Sequence, residues 1–315
     1  MNDVKHQELL ANIAQDYYLS KQTVTDLSKK YQLSRYLITK YLDEALATGL
    51  VKINIATPIS RNFDLEVRFK KAFHLRNAFI LKSSDTPNDD NENIIEYASA
   101  EIQDLIRQSR IIGLTWGDTV LSVISHFQAE VRDDITFSQF VGNNLKYTSL
   151  SGATPLVEKA ASKFGAPYQT MPAPLYILSD SARAELQHEP ALVPAFSTAS
   201  KMDLLFTGFG TLASIDTIPV WKQHQSEIFD GVTLDRVAGM LYGRPYDING
   251  TILNIKNDKT FGIPIDTVLA TTRRVGIVKS KFKARALLGA LRGELLTDVI
   301  TNEGVANRVL LEMGG

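Results

Sequence analysis

The sequence predicts an α/β protein in two parts: a winged helix-turn-helix over residues 1–56 and a larger, doubly wound α/β body over residues 57–315. Three observations carry this. Residues 23–49 hold two short amphipathic helices joined by a three-residue turn. From residue 77 onward, short apolar strands alternate with helix-length segments, the pattern of βαβ units around a largely parallel sheet. Between the two parts, Pro58 breaks the regular pattern and biases Thr57 toward extended backbone.

In the first part, Thr23–Tyr31 reads as a helix with Val24, Leu27 and Tyr31 on one face. Gln32-Leu33-Ser34 makes a tight turn, and Ser34 suits the N-cap of the next helix, because its hydroxyl can accept from the first free N–H groups. That helix, about Arg35 to Thr48, is expected to bury Leu37, Ile38, Tyr41, Leu42, Ala45 and Leu46. Ser34, Arg35, Tyr36, Thr39 and Lys40 are left at its outward N-terminal end, where a recognition helix meets base edges in a major groove. Gly49 closes the helix, and Leu50–Ile55 alternates like a short wing strand. Lys29, Lys30 and Lys52 are then available to phosphates.

The charge is local. Lys21 to Lys40 contains five cations against one acid, Asp26, whereas the whole chain has a formal charge of −1. A protein coating nucleic acid along its length would be basic throughout; a basic head on a neutral body fits a regulator bound to double-stranded operator DNA. The bland alternative is a three-helix packing module with a solvated charged face. The joint occurrence of helix, turn, capped helix with cations at its start, and wing favours the DNA reading.

The body follows in order. Asn62–His74 has helical spacing at Phe63, Val67, Lys70 and His74, and Asn77–Leu81 reads as a strand. Residues 83–93, dense in carboxylates and amides, read as an exposed loop. Arg110–Thr115 is a buried strand leading into a helix from Asp118 to Phe127. Ile135–Val141 is a second strand, Leu156–Phe164 a helix, and Tyr168–Pro172 extended. Asp203–Gly208 is another buried strand. Val275–Val278 leads into a helix over Lys281–Leu291, and Val299–Thr301 precedes a last helix near Gly304–Leu311.

Composition narrows the chemistry. At 315 residues, two domains with a sizeable core are expected. No apolar run approaches the length of a membrane span, and the polar start Met1–Gln7 lacks a signal core, which predicts a cytoplasmic protein with no membrane partner. Zero cysteines removes disulfides and thiolate chemistry, and the five histidines show no HxH or HxxxH spacing. Neither a metal site nor a cofactor is expected.

In a parallel α/β sheet, ligands sit at the carboxyl ends of strands, where loops meet helix N-termini. Thr115-Trp116-Gly117-Asp118-Thr119 follows a strand and opens a helix. Gly117 permits close backbone approach, and Thr119 brings a hydroxyl and an N–H to the positive end of the helix dipole, a natural anion seat. Val141-Gly142-Asn143-Asn144 and Gly208-Phe209-Gly210-Thr211 also follow strands. Each such turn alone is weak; together they make a pocket credible.

Along nearly its full length the chain resembles the SorC family of sugar-responsive bacterial transcription regulators. The resemblance rests on Thr23–Gly49, Ile112–Thr119, Met171–Tyr176 and Thr207–Gly210. It rests also on Val237-Ala238-Gly239 with Tyr246–Gly250, and on Lys283–Ala286 with Ala290–Gly293 and Val299–Thr301. It implies an effector domain similar in fold to sugar-phosphate isomerases, without their catalysis, in which a sugar or sugar phosphate alters DNA binding by a homodimer or homotetramer. By position, it implies that Trp116, Gly117, Asp118 and Thr119 form a phosphate loop, with Gly142, Asn143 and Gly208 on neighbouring loops. Asp247 would bind sugar hydroxyls, or is a turn residue before Asn249-Gly250. Lys283 would supply a cation, or is a solvated residue on an amphipathic helix.

Two departures stand out. The phosphate loop of some relatives is rich in glycine and threonine, whereas this one holds Trp116 and an acid, Asp118, which disfavours a phosphate unless its side chain turns away or a cation intervenes. Relatives commonly show a glycine pair before the lysine, where this chain has Val278–Phe282; Lys279 and Lys281 either offset Asp118 or are surface charge. Two rival functions remain. A sugar-phosphate isomerase or deaminase fused to a DNA-binding head would need an acid–base pair, and only Asp118 and Asp247 can be nominated on the ligand loops. An architectural DNA-binding protein would show no response to any small metabolite.

Overall fold

The computed structural model describes residues 2–51, 59–84, 86–145 and 155–314. Of the expected wing strand, Leu50 and Val51 form a bend and residues 52–55, with Lys52, lie outside the described residues, as does the expected break at Thr57-Pro58. The chain divides into two units, Met1–Pro58 and Ile59–Gly315.

In the first unit, α1 (Asn2–Ala14), α2 (Val24–Tyr31) and α3 (Arg35–Ala47) surround a small core of Ile13, Ala14, Leu27, Ile38, Leu42 and Ala45. Thr23 caps α2 with a capping box: its hydroxyl accepts from Asp26 N–H while the Asp26 carboxylate reaches back to the Thr23 backbone. Gln32 ends α2 in the left-handed region, at φ +54°, turning the chain into α3. The Ser34 hydroxyl accepts from Leu37 N–H, as the sequence predicts. The α3 face is narrower than expected. Ile38, Leu42 and Ala45 are buried, but Leu46 lies about 100° around from Ala45 and is 38% exposed. Helix α1 was not visible in the polar start of the chain; it supplies Leu10, Ile13 and Ala14 to the core.

The second unit is built on a seven-stranded sheet of β1 (Asn77–Leu81), β2 (Ile111–Leu114), β3 (Thr136–Gln139), β4 (Tyr168–Gln169), β5 (Leu204–Thr207), β8 (Arg273–Ile277) and β9 (Asp298–Asn302). All pairings are parallel, in the order β1-β9-β8-β5-β2-β3-β4. A separate antiparallel hairpin, β6 (Gly239–Leu241) and β7 (Arg244–Tyr246), lies between β5 and β8 in the chain. Successive strand residues point to opposite faces, and both faces here are apolar. Leu204 and Phe206 enter one core cluster and Leu205 the other; Phe79 and Leu81 pack opposite to Ala78 and Ile80. That two-sided burial is why these strands read as continuous apolar runs rather than alternating ones.

The expected strand and helix positions agree with the observed ones to within a few residues, with two corrections. Residues 83–93 are not all loop: α5 (Pro87–Arg107) begins inside them. The Thr86 hydroxyl caps Asp89 N–H, Pro87 occupies the first turn, and Asp89 and Asp90 face the positive helix end, so the acids stabilise a helix start. In α4 (Phe63–Phe73) the buried face is Leu65, Glu66, Phe69 and Phe73, while Phe63 and Val67 are exposed. Glu66 is buried because Arg61 holds it in a two-pronged ion pair, at 2.7 and 2.6 Å, and Ile80 N–H donates to it.

Candidate functional site

The sheet order reverses at β2. From there the chain runs outward through β3 and β4, then returns to place β5 on the other side of β2. Connections leaving β2 and β5 go in opposite directions, which opens a crevice at the strands' carboxyl ends. The crevice holds a cavity of about 280 Å³. Its walls are the loops that follow those two strands, Thr115–Thr119 and Thr207–Thr211. The loops touch directly: a Cβ on Gly208 would stand 3.2 Å from the Thr119 Cβ. Gly117 has φ +131°, a conformation that favours glycine, and begins α6 (Asp118–His126) without a side chain to cap the helix's first N–H groups.

The other walls come from insertions. Leu175 and Tyr176 precede β5, Thr211–Trp221 forms a cap of short helices after it, and Met240–Gly243 is the tip of the β6–β7 hairpin. Main-chain bonds between Gly210 and Met240, at 3.1 and 3.0 Å, join cap and hairpin. The Tyr176 ring packs edge-on against Trp221, and its hydroxyl donates to Gly243 O at 2.8 Å. Arg244 anchors the hairpin from beneath. It is buried, donates to Asp258 at 2.6 Å, and spans Tyr242 O and Ile263 O at 3.1 and 3.2 Å.

Lys283 lines the cavity and donates to Phe209 O at 2.7 Å. Burial pushes its ammonium below the ordinary lysine value, the nearby Lys279 cation pushes it further, and the Asp118 carboxylate opposes both. Burial also lowers Lys279, again against the pull of Asp118. Two lysines therefore act on the carboxylate that stood as an obstacle to an anion in this loop. Lys281 does not join them; its side chain lies over Gly304.

Among the residues nominated from sequence, Trp116, Gly117, Asp118, Thr119, Gly208 and Lys283 are brought together at this cavity. Gly142, Asn143 and Asp247 are not among the described residues that line it. Gly142 and Asn143 instead carry the wall: a Cβ on Gly142 would stand 2.4 Å from Pro174 O, and Asn143 exchanges main-chain bonds with Ala173 and Leu175 at 2.7 and 2.8 Å. Their neighbour Asn144 does line the cavity. Asp247 organises a turn, accepting from Asn249 and Thr251 N–H at 3.0 Å each and from Arg236 at 3.0 Å. Burial pushes its carboxyl up, but the Thr251 and Asn249 N–H groups and Arg236 outweigh this and hold it below the usual range. Gly250 then takes φ +83° where a Cβ would meet Gly293 Cα at 2.2 Å, so Asn249-Gly250 and Gly293 record a close backbone crossing. Reasoning from sequence missed Ser214, Thr217 and Trp221; no local pattern marks the cap as a wall.

On the first unit, Lys29, Ser34, Arg35, Tyr36, Thr39 and Lys40 are all exposed, and Tyr36 is 78% exposed. Ser34 is committed to its cap and Thr39 donates to Arg35 O at 3.1 Å. Lys30 is engaged: it pairs with Asp16 at 2.6 Å, and the Tyr31 hydroxyl donates to the same carboxylate at 2.6 Å. The bonds from Lys30 and Tyr31 hold the Asp16 carboxyl below its usual value.

Residues 57–311 match the protein family described as "Putative sugar-binding domain". The chain belongs to this sugar-binding family. Its SorC resemblance also holds: it is 25% identical to the sorbitol operon regulator of Klebsiella pneumoniae over 306 residues, 96% of this chain and 97% of that protein. It is 22% identical to the transcriptional regulator LsrR of Enterobacter sp. (strain 638), covering 98% and 94% of the two chains. The fold matches the full-length crystal structure of the Klebsiella regulator with a TM-score of 0.69 at 23% identity, over 98% of this chain and 100% of that one. A transcriptional regulator from Streptococcus pneumoniae matches with a TM-score of 0.68 at 19% identity, over 80% and 98%. Among the described residues no helix is long and apolar enough to cross a membrane.

Proposed function

We propose that this family member is a sugar-responsive transcription regulator of carbohydrate-metabolism genes: the Ser34–Lys40 end of α3 reads operator DNA, and the cavity at the β2/β5 crevice binds a sugar or sugar phosphate. The observation that carries the effector half is the meeting of Lys283 with the glycine-led N-terminus of α6 at a cavity of monosaccharide size. A phosphate seats there and sugar hydroxyls extend toward Thr211–Trp221. A helix-turn-helix reads one half-site, so an operator-bound dimer or tetramer supplies two or more heads. The ligand favours one arrangement of that oligomer, which couples DNA and ligand affinity reciprocally.

The reading includes no catalysis. Proton abstraction beside a carbonyl needs an acid–base pair in reach of the substrate, and Asp118 is the one carboxylate among the described lining residues. Turnover of ribose, fructose or glucosamine phosphates at an enzyme-like rate would overturn this.

The DNA half is tested with an operator selected from genomic fragments. Arg35→Ala is expected to weaken operator binding about 10- to 100-fold, the effect of losing a base-edge contact of about 1–3 kcal/mol. Its thermal shift with a phosphosugar should match the parent protein. Unchanged operator affinity would remove Arg35 from the interface. Asp16→Asn tests the Lys30 engagement in the opposite direction. Releasing that cation should tighten binding to a nonspecific duplex at low salt and steepen the salt dependence by about one phosphate contact. Anisotropy titrations at several salt concentrations read both quantities, and an unchanged slope would mean that Lys30 does not reach DNA.

A further inference from the structure

Four hydroxyls of the cavity wall share one orientation. Thr207, at the end of β5, donates to Gly208 O at 2.9 Å. Thr217, in the cap, donates to Ser214 O at 2.8 Å, and Tyr176 donates to Gly243 O at 2.8 Å. Thr115, at the end of β2, donates to Trp116 O over a longer 3.4 Å. A hydroxyl has one proton and two lone pairs. Each of these has spent its proton on a backbone carbonyl, and what each still offers a ligand is lone pairs. The Tyr176 proton is held firmly, since burial pushes the phenol far above its ordinary value. A charged donor stands apart from these four hydroxyls, on Lys283, beside the loop that opens α6.

Resting on the sugar-binding reading above, we propose that the cavity selects a fully hydroxylated sugar chain and rejects deoxy analogues, because Thr207, Thr217, Tyr176 and Thr115 present acceptors that only ligand hydroxyl protons satisfy. An anionic end, which accepts and cannot donate, belongs with Lys283 and α6. The part of the ligand that faces these four oxygens must donate, so its class is a monosaccharide or sugar alcohol with a hydroxyl on each carbon of the chain facing them. A missing hydroxyl leaves the buried Thr115, Thr207 or Tyr176 oxygen unpaired, and a site built around ligand hydroxyls discriminates strongly for that reason. The rings of Trp116, Tyr176 and Trp221 supply apolar surface for the C–H faces of the same ligand.

The test is calorimetric titration of the full chain. A parent ligand is chosen from pentoses, hexoses, their alcohols and their monophosphates, and is compared with its deoxy and deoxyfluoro analogues. Fluorine keeps the size and removes the proton. At least two replacements should each cost tenfold or more in affinity, and Thr207→Val or Tyr176→Phe should reduce the penalty at one of them to threefold or less. Two variants are used so that a folding defect in one leaves the other decisive. Analogues binding within threefold of the parent would overturn the proposal while leaving the sugar-responsive regulator intact. A parent that binds with the expected discrimination but leaves operator affinity unchanged would overturn the regulator and keep the proposal. Binding of none of the panel would overturn both.

Discussion

Arg244→Met is expected to cost the body about 3 kcal/mol. Arg244 is 2% exposed and lies on β7, where the side chain ties together three places: Tyr242 in its own hairpin, Asp258 and Ile263. Breaking a buried ion pair costs about 3–5 kcal/mol, chiefly because the surviving charge stays buried and unpaired. The lower end applies because the Asp258 side chain keeps 23% of its surface in solvent. For a unit of this size, the melting temperature should fall by roughly 6–12 °C. Adding Asp258→Asn should recover part of the loss by removing the stranded charge, although its contacts with Asn254 and Thr260 N–H, at 3.3 and 2.9 Å, would weaken. Effector binding should fall with stability, since Tyr242 and Gly243 line the cavity and Tyr176 hangs from Gly243 O. A melting temperature within 2 °C of the parent would mean the hairpin is held by its packing alone.

That arginine shows where sequence reading stops. The loops after β2 and β5 were legible because their cause is local: an apolar strand, a glycine, then a polar helix start, all within ten residues of Ile112 or Leu204. Helix α3 was legible for the same reason, through its Ser34 N-cap. The cap over Thr211–Trp221 and the hairpin tip were not, because their place over the cavity depends on pairings such as Gly210 with Met240, thirty residues apart. Asp247 was legible as a polar residue in a marked stretch, but its engagement by Arg236 and two backbone N–H groups is tertiary geometry. Helix α1 escaped because only Leu10, Ile13 and Ala14 are buried in a polar segment, too narrow a stripe to stand out. The α5 start reads as loop in the sequence because a run of acids there has the composition of a solvated turn, whereas in the fold Asp89 and Asp90 are first-turn charges at a positive helix end.

Lys283→Met should lower affinity for a phosphosugar about 10- to 100-fold, the loss of one charge-assisted hydrogen bond of about 1.5–3 kcal/mol. The pH dependence separates this role from mere packing. Free Lys283 loses its proton below the ordinary lysine value of 10.5, because burial and the Lys279 cation disfavour the charge. Only the protonated form pairs with phosphate, so affinity should fall as pH rises through that lowered value, with proton uptake on binding in the same window. The unbound protein shows the complementary sign. Between the lowered folded value and the unfolded one, the unfolded chain binds more protons, so stability should rise with pH there. At low pH the phosphate sets the profile instead, gaining its second charge near pH 6. The Met variant should keep that acid limb and flatten the alkaline one. Lys279→Met is the companion measurement. Removing its charge should move the alkaline fall toward higher pH, because one of the two causes lowering Lys283 is gone. An alkaline limb unchanged in both variants would place the anion away from Lys283 and return the cavity to binding uncharged sugars.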